Sequence, residues 1–479
     1  MEIIVLLAGV VYGLIIGLIP AAGATTGLIA LFGFIPFFMG MDPYLGVIFC
    51  VAVVASSTTG DSFSGVLLGI PGANSAAATI VDGHPLAKQG KATIALTAAI
   101  TTSTLNGLIW GTLTFALLPW YAKVIMFVGV PELWAFIVLS LSCVAFVSNN
   151  FWFRSIIAIV VGVLIGLIGV HPDTNADRFT LGWDYLSDGV SMVAFMAGLF
   201  AFPEIIDGWR RGRQVATVRL NQNTAQTITG IKEVWRCKWD ALRGGGIGAF
   251  VGLLPGLGGA MADWMSYGAT VASNPTEKFG NGNIRGVIGP EGANNSQKAT
   301  SMIPTVLFGI PGASFAAVMM ALFMYLGFEL GTPELAQDTK FFNSLTFGFM
   351  WATVIVGVIC LVFNKYIAMI TYVPYKYYFP IIVAFIVWAS VQHTGGIEDY
   401  VVLALCTVLG VLAKKYKFSR PAMLMAFILA GKVEALTMQL NSLYTIDRLI
   451  DRPLFILLMV FVVCLFVYGI TRKNKLEYA

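Results

Sequence analysis

The chain has 479 residues, of which 57% are hydrophobic and 11% charged, with a formal net charge of +4 and a mean hydropathy of +0.81. Soluble domains carry about 25% charged residues, so there is too little charge here to clothe the two or three water-exposed domains this length would otherwise imply. Disorder, a disulfide scaffold and a nucleic-acid binder are excluded on the same figures, since the basic residues are few and sit in short loops. What remains is an all-α polytopic membrane protein embedded in a lipid bilayer.

Crossing the ~30 Å hydrocarbon core takes roughly 20 apolar residues. In chain order, candidate spans begin near Ile3, Ile94, Ala122, Ser155, Val190, Ser344, Pro380, Val401, Pro421 and Pro453. Met1-Glu2 lacks a basic n-region and no cleavage site follows, so no removable signal peptide is expected. Cys50, Cys143, Cys237, Cys360, Cys406 and Cys464 are not paired at metal-ligand spacing, five of them lie in apolar segments, and they read as small hydrophobes. His84, His171 and His393 lie far apart and form no ligand cluster.

Two Gly/Pro-rich motifs each occur twice. Gly17-Leu-Ile-Pro20-Ala-Ala-Gly23-Ala-Thr25-Thr26 matches Gly252-Leu-Leu-Pro255-Gly-Leu-Gly258-Gly-Ala-Met261, and Gly69-Ile-Pro-Gly72-Ala73-Asn74-Ser75 matches Gly309-Ile-Pro-Gly312-Ala313-Ser314-Phe. Pro20 and Pro255 are 235 positions apart, Pro71 and Pro311 240 apart. Such nearly equal offsets over separate motifs mark a duplication, with repeats at 1–203 and 244–479 joined by a polar cytoplasmic linker at 204–243.

Lys and Arg accumulate on the cytoplasmic side of membrane proteins. In the first half the basic loop, with Lys88 and Lys91, follows the GIPGA motif; in the second, Lys278 and Arg285 precede it and Glu329, Glu334 and Asp338 follow. Arg154, Arg210-Arg211-Arg213, Lys365, Lys414-Lys415-Lys417 and Arg472-Lys473 all fall inside on this count, while Asp173 to Asp188 and Glu398-Asp399 fall outside. Lys123 is the one poor fit. The repeats therefore read as inverted in topology, a common arrangement in secondary transporters, with the N-terminus periplasmic and the C-terminus cytoplasmic.

Non-helical backbone at membrane depth must be buried in protein or line a cavity. Pro71 and Pro311 each remove a helical hydrogen bond, so each GIPGA is expected to end one half-helix and open another, giving broken transmembrane helices. The segments around Pro20 and Pro255 read as re-entrant hairpins with tips near Ala21 to Thr26 and Gly256 to Asp263. A single break of this kind can be a packing kink; four in two symmetric pairs favour transport. Half-helix N-termini attract anions, which points to Gly72, Ala73, Asn74, Ser75, Gly312, Ala313 and Ser314, with the Asn294 and Asn295 amides and the hairpin-tip residues Thr25 and Gly258, as a carboxylate site. Hydroxyl and carboxylate oxygens beside the breaks (Ser56, Thr59, Asp61, Ser296 and Thr300) together with broken-helix carbonyls suit Na⁺ as the coupling ion; no other cofactor is expected. Lys298 is the intramembrane cation for an anion, or else an ion-pair partner of Glu291 or Asp61. Asp61 and Asp263 are candidates for binding a cation, carrying a proton or forming salt bridges.

At these residues the sequence resembles the large membrane subunit of the tripartite tricarboxylate transporters, the TctA family. The resemblance covers nearly the whole chain and is most specific at Gly69 to Lys91, at Asn274 to Gly312 and at Gly252 to Gly259. It implies ion-coupled uptake of a small organic carboxylate through an elevator-type mobile domain. It also implies a TctB-like small membrane subunit, a TctC-like periplasmic solute-binding protein and a bacterial inner-membrane location. The first hairpin departs from the family's Pro-Gly-x-Gly form by reading Pro20-Ala-Ala-Gly23, which implies tighter backbone approach or a different substrate preference. Against an ATP-driven pump, there is no Gly-x4-Gly-Lys-Ser/Thr loop. A membrane-embedded enzyme using Asp61, Asp263 or Glu291 for acid–base work is the alternative, although no nucleophile elbow or dyad supports it; a channel is a third class, less suited to duplicated broken helices.

Overall fold

The computed structural model describes residues 1–19, 23–34, 40, 42–70, 72–73, 76–118, 120–121, 128–146, 152–171, 176–211, 224–371, 373, 377, 379–390 and 396–476. Pro20, Pro71, Ala122, Lys123, Arg213 and His393 lie outside these residues, as do Asn74 and Ser75. Backbone groups in lipid must be paired within the protein, and the described chain meets this almost entirely with helices. The described chain begins with α1 (Glu2–Leu18), α2 (Gly23–Leu31), α3 (Pro43–Leu68), α4 (Ala77–Leu86), α5 (Ala92–Ala116), α6 (Val130–Phe146), α7 (Trp152–Gly166), α8 (Met192–Met196) and α9 (Phe202–Arg211). There follow α10 (Thr224–Arg236), α11 (Lys238–Leu253), α12 (Gly258–Ser273), α13 (Arg285–Phe308), α14 (Ser314–Tyr325) and α15 (Pro333–Gln337). The chain finishes with α16 (Thr339–Val362), α17 (Asn364–Ile370), α18 (Phe379–Ser390), α19 (Ile397–Lys415), α20 (Arg420–Leu443), α21 (Ile446–Ile450) and α22 (Pro453–Leu476). Among the described residues, strands are confined to an antiparallel pair with Gly169 opposite Arg178 and Val170 opposite Asp177.

Four helices among the described residues are long and apolar enough to cross a bilayer: Pro43–Leu68, Ala77–Ala116, Thr339–Val362 and Arg420–Leu443. Shorter apolar helices, including Glu2–Leu18 and Trp152–Gly166, accompany them. Large apolar side chains face outward at helical spacing, as with Val401, Leu405, Val408 and Leu412 on α19. Water would penalise that surface and lipid does not.

The duplication is visible in the contacts. Gly9, Gly13 and Gly17 lie four apart on α1, where a Cβ would come within 2.9, 2.6 and 2.2 Å of the carbonyl oxygens of Phe49, Val53 and Ser57 on α3. Gly244, Gly248 and Gly252 on α11 stand likewise at 2.1, 2.4 and 2.6 Å from the carbonyls of Gly289, Ala293 and Gln297 on α13. The offsets between the two sets equal those of the proline motifs. Only hydrogen side chains permit this backbone-to-backbone approach. In both halves the long helix then stops at a left-handed glycine, Gly69 at φ 67° and Gly309 at φ 61°, which an L side chain resists.

The helices sort into two groups. One packs α1–α5, α10–α14 and α16 together and holds every repeated motif; the other packs α6–α9, α18–α20 and α22. They meet beside the hairpins, where Trp388 Nε1 donates to Gly33 O at 3.1 Å and a Cβ on Gly256 would come within 2.3 Å of Val144.

The residues 274–284 are tied to the first repeat through Asp82 of α4. Its Oδ1 accepts from the backbone N–H groups of Gly280, Gly282 and Asn283 at 2.8, 2.9 and 2.8 Å, and its Oδ2 from the Tyr267 hydroxyl at 3.0 Å. Asp82→Ala would strand these donors, each hydrogen bond to a charged group contributing about 1.5–3 kcal/mol. The thermal unfolding midpoint in detergent should fall by roughly 5 °C or more, and an unchanged midpoint would show that the loop is held by other contacts.

Candidate functional site

A cavity of about 670 Å³ lies where the two groups of helices meet. From the motif-bearing group it is lined by the α2 start (Gly23 to Thr26), Asp61, the first break (Ile70, Gly72, Ala73), the second hairpin tip (Gly256 to Met261), Lys298, and Ala313, Ser314 and Phe315 at the second break. The opposing wall comprises Phe200, Glu204, Lys414, Phe418 to Pro421 and Met425.

Three helix N-termini, those of α2, α12 and α14, therefore point their first turns at one space. The first amides of a helix have no intrahelical acceptor and carry partial positive charge. No side chain caps α12 at Leu257 or α14 at Ala313, which leaves these amides available to a ligand. The hairpin tip is locked to the break beside it: Gly256 N–H donates to Gly312 O at 3.2 Å, while in the first half a Cβ on Gly23, the counterpart of Gly258, would lie 2.8 Å from that of Ala73.

Lys298 is 5% exposed. Its Nζ lies 5.1 Å from the Phe315 ring centroid and 3.5 Å from Gln297 Oε1, and among the described residues no carboxylate stands within the 4.0 Å of an ion pair. Glu291 instead accepts from Ser62 across the repeats at 3.0 Å. Asp61 Oδ1, both oxygens of Asp263 and Glu291 Oε2 are buried without a hydrogen-bond partner, and Asp61, Asp263 and Lys298 act on one another electrostatically. Among the described residues no three His, Cys, Asp or Glu side chains converge to hold a metal ion.

Of the residues singled out from sequence, Thr25, Asp61, Gly72, Ala73, Gly258, Ala313 and Ser314 line this one cavity. Gly312 sits behind the lining, its N–H donating to Thr305 Oγ1 at 3.2 Å. The first half-helix opens at Ala77, later than the expected Ala73-Asn74-Ser75, after Ala76 N–H has turned back to Ala73 O at 3.0 Å. Asn294 and Asn295 are buried on α13 and are not among the lining residues; a Cβ on Gly107 of α5 would come within 3.0 Å of Asn295 Cβ. Ser296 and Thr300 turn toward α11, where a Cβ on Gly248 and Gly252 would touch their hydroxyls, and both donate to carbonyls of their own helix. Thr59 does the same toward Ala55 at 3.5 Å, while Ser56 Oγ is buried without a partner.

Sequence reasoning missed the opposing wall. Arg420 donates to Glu204 at 2.7 Å, and Lys414 pairs with Glu204 at 2.7 Å and Asp207 at 2.6 Å. In the sequence these are ordinary loop-flanking charges with no mark tying them to motifs hundreds of residues away.

Duplicated hairpins and broken helices around one cavity with buried charged groups in its lining define a multi-pass helical membrane protein of the transporter class. The chain belongs to the tripartite tricarboxylate transporter TctA family, whose model matches residues 3–425. It is 28% identical over 439 residues to an uncharacterized 52.8 kDa protein in the TAR-I ttuC' 3' region of Agrobacterium vitis, covering 89% of this chain and 84% of that one. It is also 28% identical over 190 residues to an uncharacterized protein in the TAR-II ttuC' 3' region of the same organism, covering 39% of this chain and 78% of that one. No solved structure matches.

Proposed function

We propose that this protein takes up a small organic carboxylate, driven by Na⁺, as the large subunit of a binding-protein-dependent system in the bacterial inner membrane. The observation that carries this is the convergence of three helix N-termini and the Lys298 ammonium on one cavity, a field suited to an anion with more than one carboxylate. The partners are a TctB-like small membrane subunit and a TctC-like periplasmic binding protein that delivers the substrate. Elevator-type movement is supported by the cavity's place between the two groups of helices, one of which holds every repeated motif. The Lys414–Arg420 wall lies on the face that loop charge assigns to the cytoplasm, so this conformation faces inward.

Counterflow in proteoliposomes tests the transport reading. Labelled tricarboxylates or dicarboxylates should exchange saturably and emerge unchanged; chemical conversion would identify an enzyme, and absence of saturation a channel. Uptake should collapse without a sodium gradient and survive a protonophore at fixed membrane potential. Unchanged uptake in sodium-free medium would move the coupling to protons.

Orientation is tested separately by cysteine labelling in intact cells. An impermeant reagent should modify Asp177→Cys but not Arg213→Cys in a background with Cys464 replaced by Ser. The opposite pattern would overturn the inverted orientation of the repeats.

A further inference from the structure

Three oxygens crowd the side-chain position that Gly72 leaves empty. An ideal Cβ there would lie 2.5 Å from Asp61 Oδ1, 2.8 Å from the Gly17 carbonyl and 2.8 Å from Ser64 Oγ. They come from different places. Gly17 is in the last turn of α1, just before the hairpin tip, where helix carbonyls lose their intrahelical donors. Asp61 and Ser64 sit one turn apart on α3, next to the break, and both side chains are fully buried.

Asp61 Oδ1 has no hydrogen-bond partner although it is buried, a costly state for a carboxylate oxygen unless something positive meets it. Lys298 does not close on it as an ion pair. Ser64 Oγ directs its proton to Asp61 O at 2.9 Å, which leaves its lone pairs for a cation.

We propose that Asp61 Oδ1, Ser64 Oγ and the Gly17 carbonyl are ligands of the coupling Na⁺, held at the junction of the first hairpin and the first break beside Gly72. The inference rests on the Na⁺-coupling reading above and gives it a location. A single carboxylate among neutral oxygens matches a hard monovalent cation better than a divalent or thiophilic metal. Asp61 and Gly72 also line the substrate cavity, so an ion bound here offsets the Asp61 charge that would otherwise repel a carboxylate. Filling the ion site therefore precedes and strengthens anion binding. The second repeat is built differently: at the equivalent Gly312 a Cβ would meet the Ser301 Cβ, carbonyl and Cα at 2.8, 3.0 and 3.2 Å, with no carboxylate. The duplication supplies one such site, in the first half.

The test uses purified full-length protein in nanodiscs and radiolabelled Na⁺ binding, with ionic strength held by choline. Wild type should bind Na⁺ saturably. Gly72→Ala, which fills the cradle, and Asp61→Asn should each raise the Na⁺ half-saturation at least tenfold. Ser64→Ala, the mildest change, should raise it about threefold to tenfold and keeps the test open should the other two fail to fold. Ser301→Ala should match wild type. Absence of Na⁺ binding to wild type would remove the coupling reading and this site with it. Saturable wild-type binding that Ser64→Ala and Asp61→Asn leave unchanged would overturn the site alone.

Discussion

Lys298→Met should lower carboxylate uptake at sub-saturating substrate by roughly tenfold to a hundredfold while the amount of folded protein in the membrane stays at the wild-type level. A hydrogen bond to a charged group contributes about 1.5–3 kcal/mol, and Lys298 is the cation on the motif-bearing side of the cavity. Among the described residues it makes no ion pair within 4.0 Å, so its removal leaves only the long 3.5 Å contact of Gln297 Oε1 unmade and folding loses little. Keeping an unpaired ammonium buried costs desolvation that a methionine of similar length does not incur, and the neighbouring Phe315 ring accepts a methionine thioether well. Lys298→Arg keeps the charge but not the compact ammonium and should recover uptake only in part. Binding of substrate to purified protein, compared with membrane abundance, checks the prediction. Normal uptake by Lys298→Met at low substrate would place the anion site on the Arg420 wall instead.

Gly252→Val should remove most of the folded protein. Even a Cβ at this position would meet Thr300 Oγ1 at 2.0 Å, the Gln297 carbonyl at 2.6 Å and the Ser301 amide nitrogen at 3.1 Å. Two of the three are backbone atoms of α13, which cannot swing aside as a side chain tip can. Overpacking a tight core costs typically 1–3 kcal/mol, and separating α11 from α13 would also disturb the Gly244 and Gly248 contacts on the same face. Gly268→Ala is the matched control: nothing lies within 4 Å of its Cβ position on α12, and a helix-interior glycine replaced by alanine gains roughly 0.5–1 kcal/mol. Size-exclusion profiles of detergent extracts separate the two outcomes. A monodisperse Gly252→Val protein at wild-type abundance would contradict the close packing of α11 on α13.

Much of the cavity was legible in the primary structure because its chemistry is backbone chemistry. Glycine and proline punctuate helices through their own covalent geometry, so the breaks at Gly69 and Gly309 and the hairpin tips at Gly23 and Gly258 announce themselves locally. Side-chain direction was not legible. Asn294, Ser296 and Thr300 are polar and stand beside a break, yet a helix has several faces. Those of Ser296 and Thr300 are turned to α11 because Gly248 and Gly252 let that helix approach them. Gly17, by contrast, was read only as part of a repeated motif, since the approach of its carbonyl to Gly72 leaves no signature in residue type.

By itself the sequence determined the membrane class, the duplication and the positions where helices must break, because apolar content, repeat offset and Gly/Pro geometry act over a few residues each. The six glycines of the α1–α3 and α11–α13 contacts were also present as two four-residue ladders, though only the packed helices reveal what they admit. The tertiary structure decided which three helix N-termini share a space, that Lys298 stays clear of the carboxylates, and that Glu204, Lys414 and Arg420 form the facing wall. Those outcomes depend on how helices far apart in the chain pack against one another. That packing follows from the summed fit of many side chains, not from any local pattern.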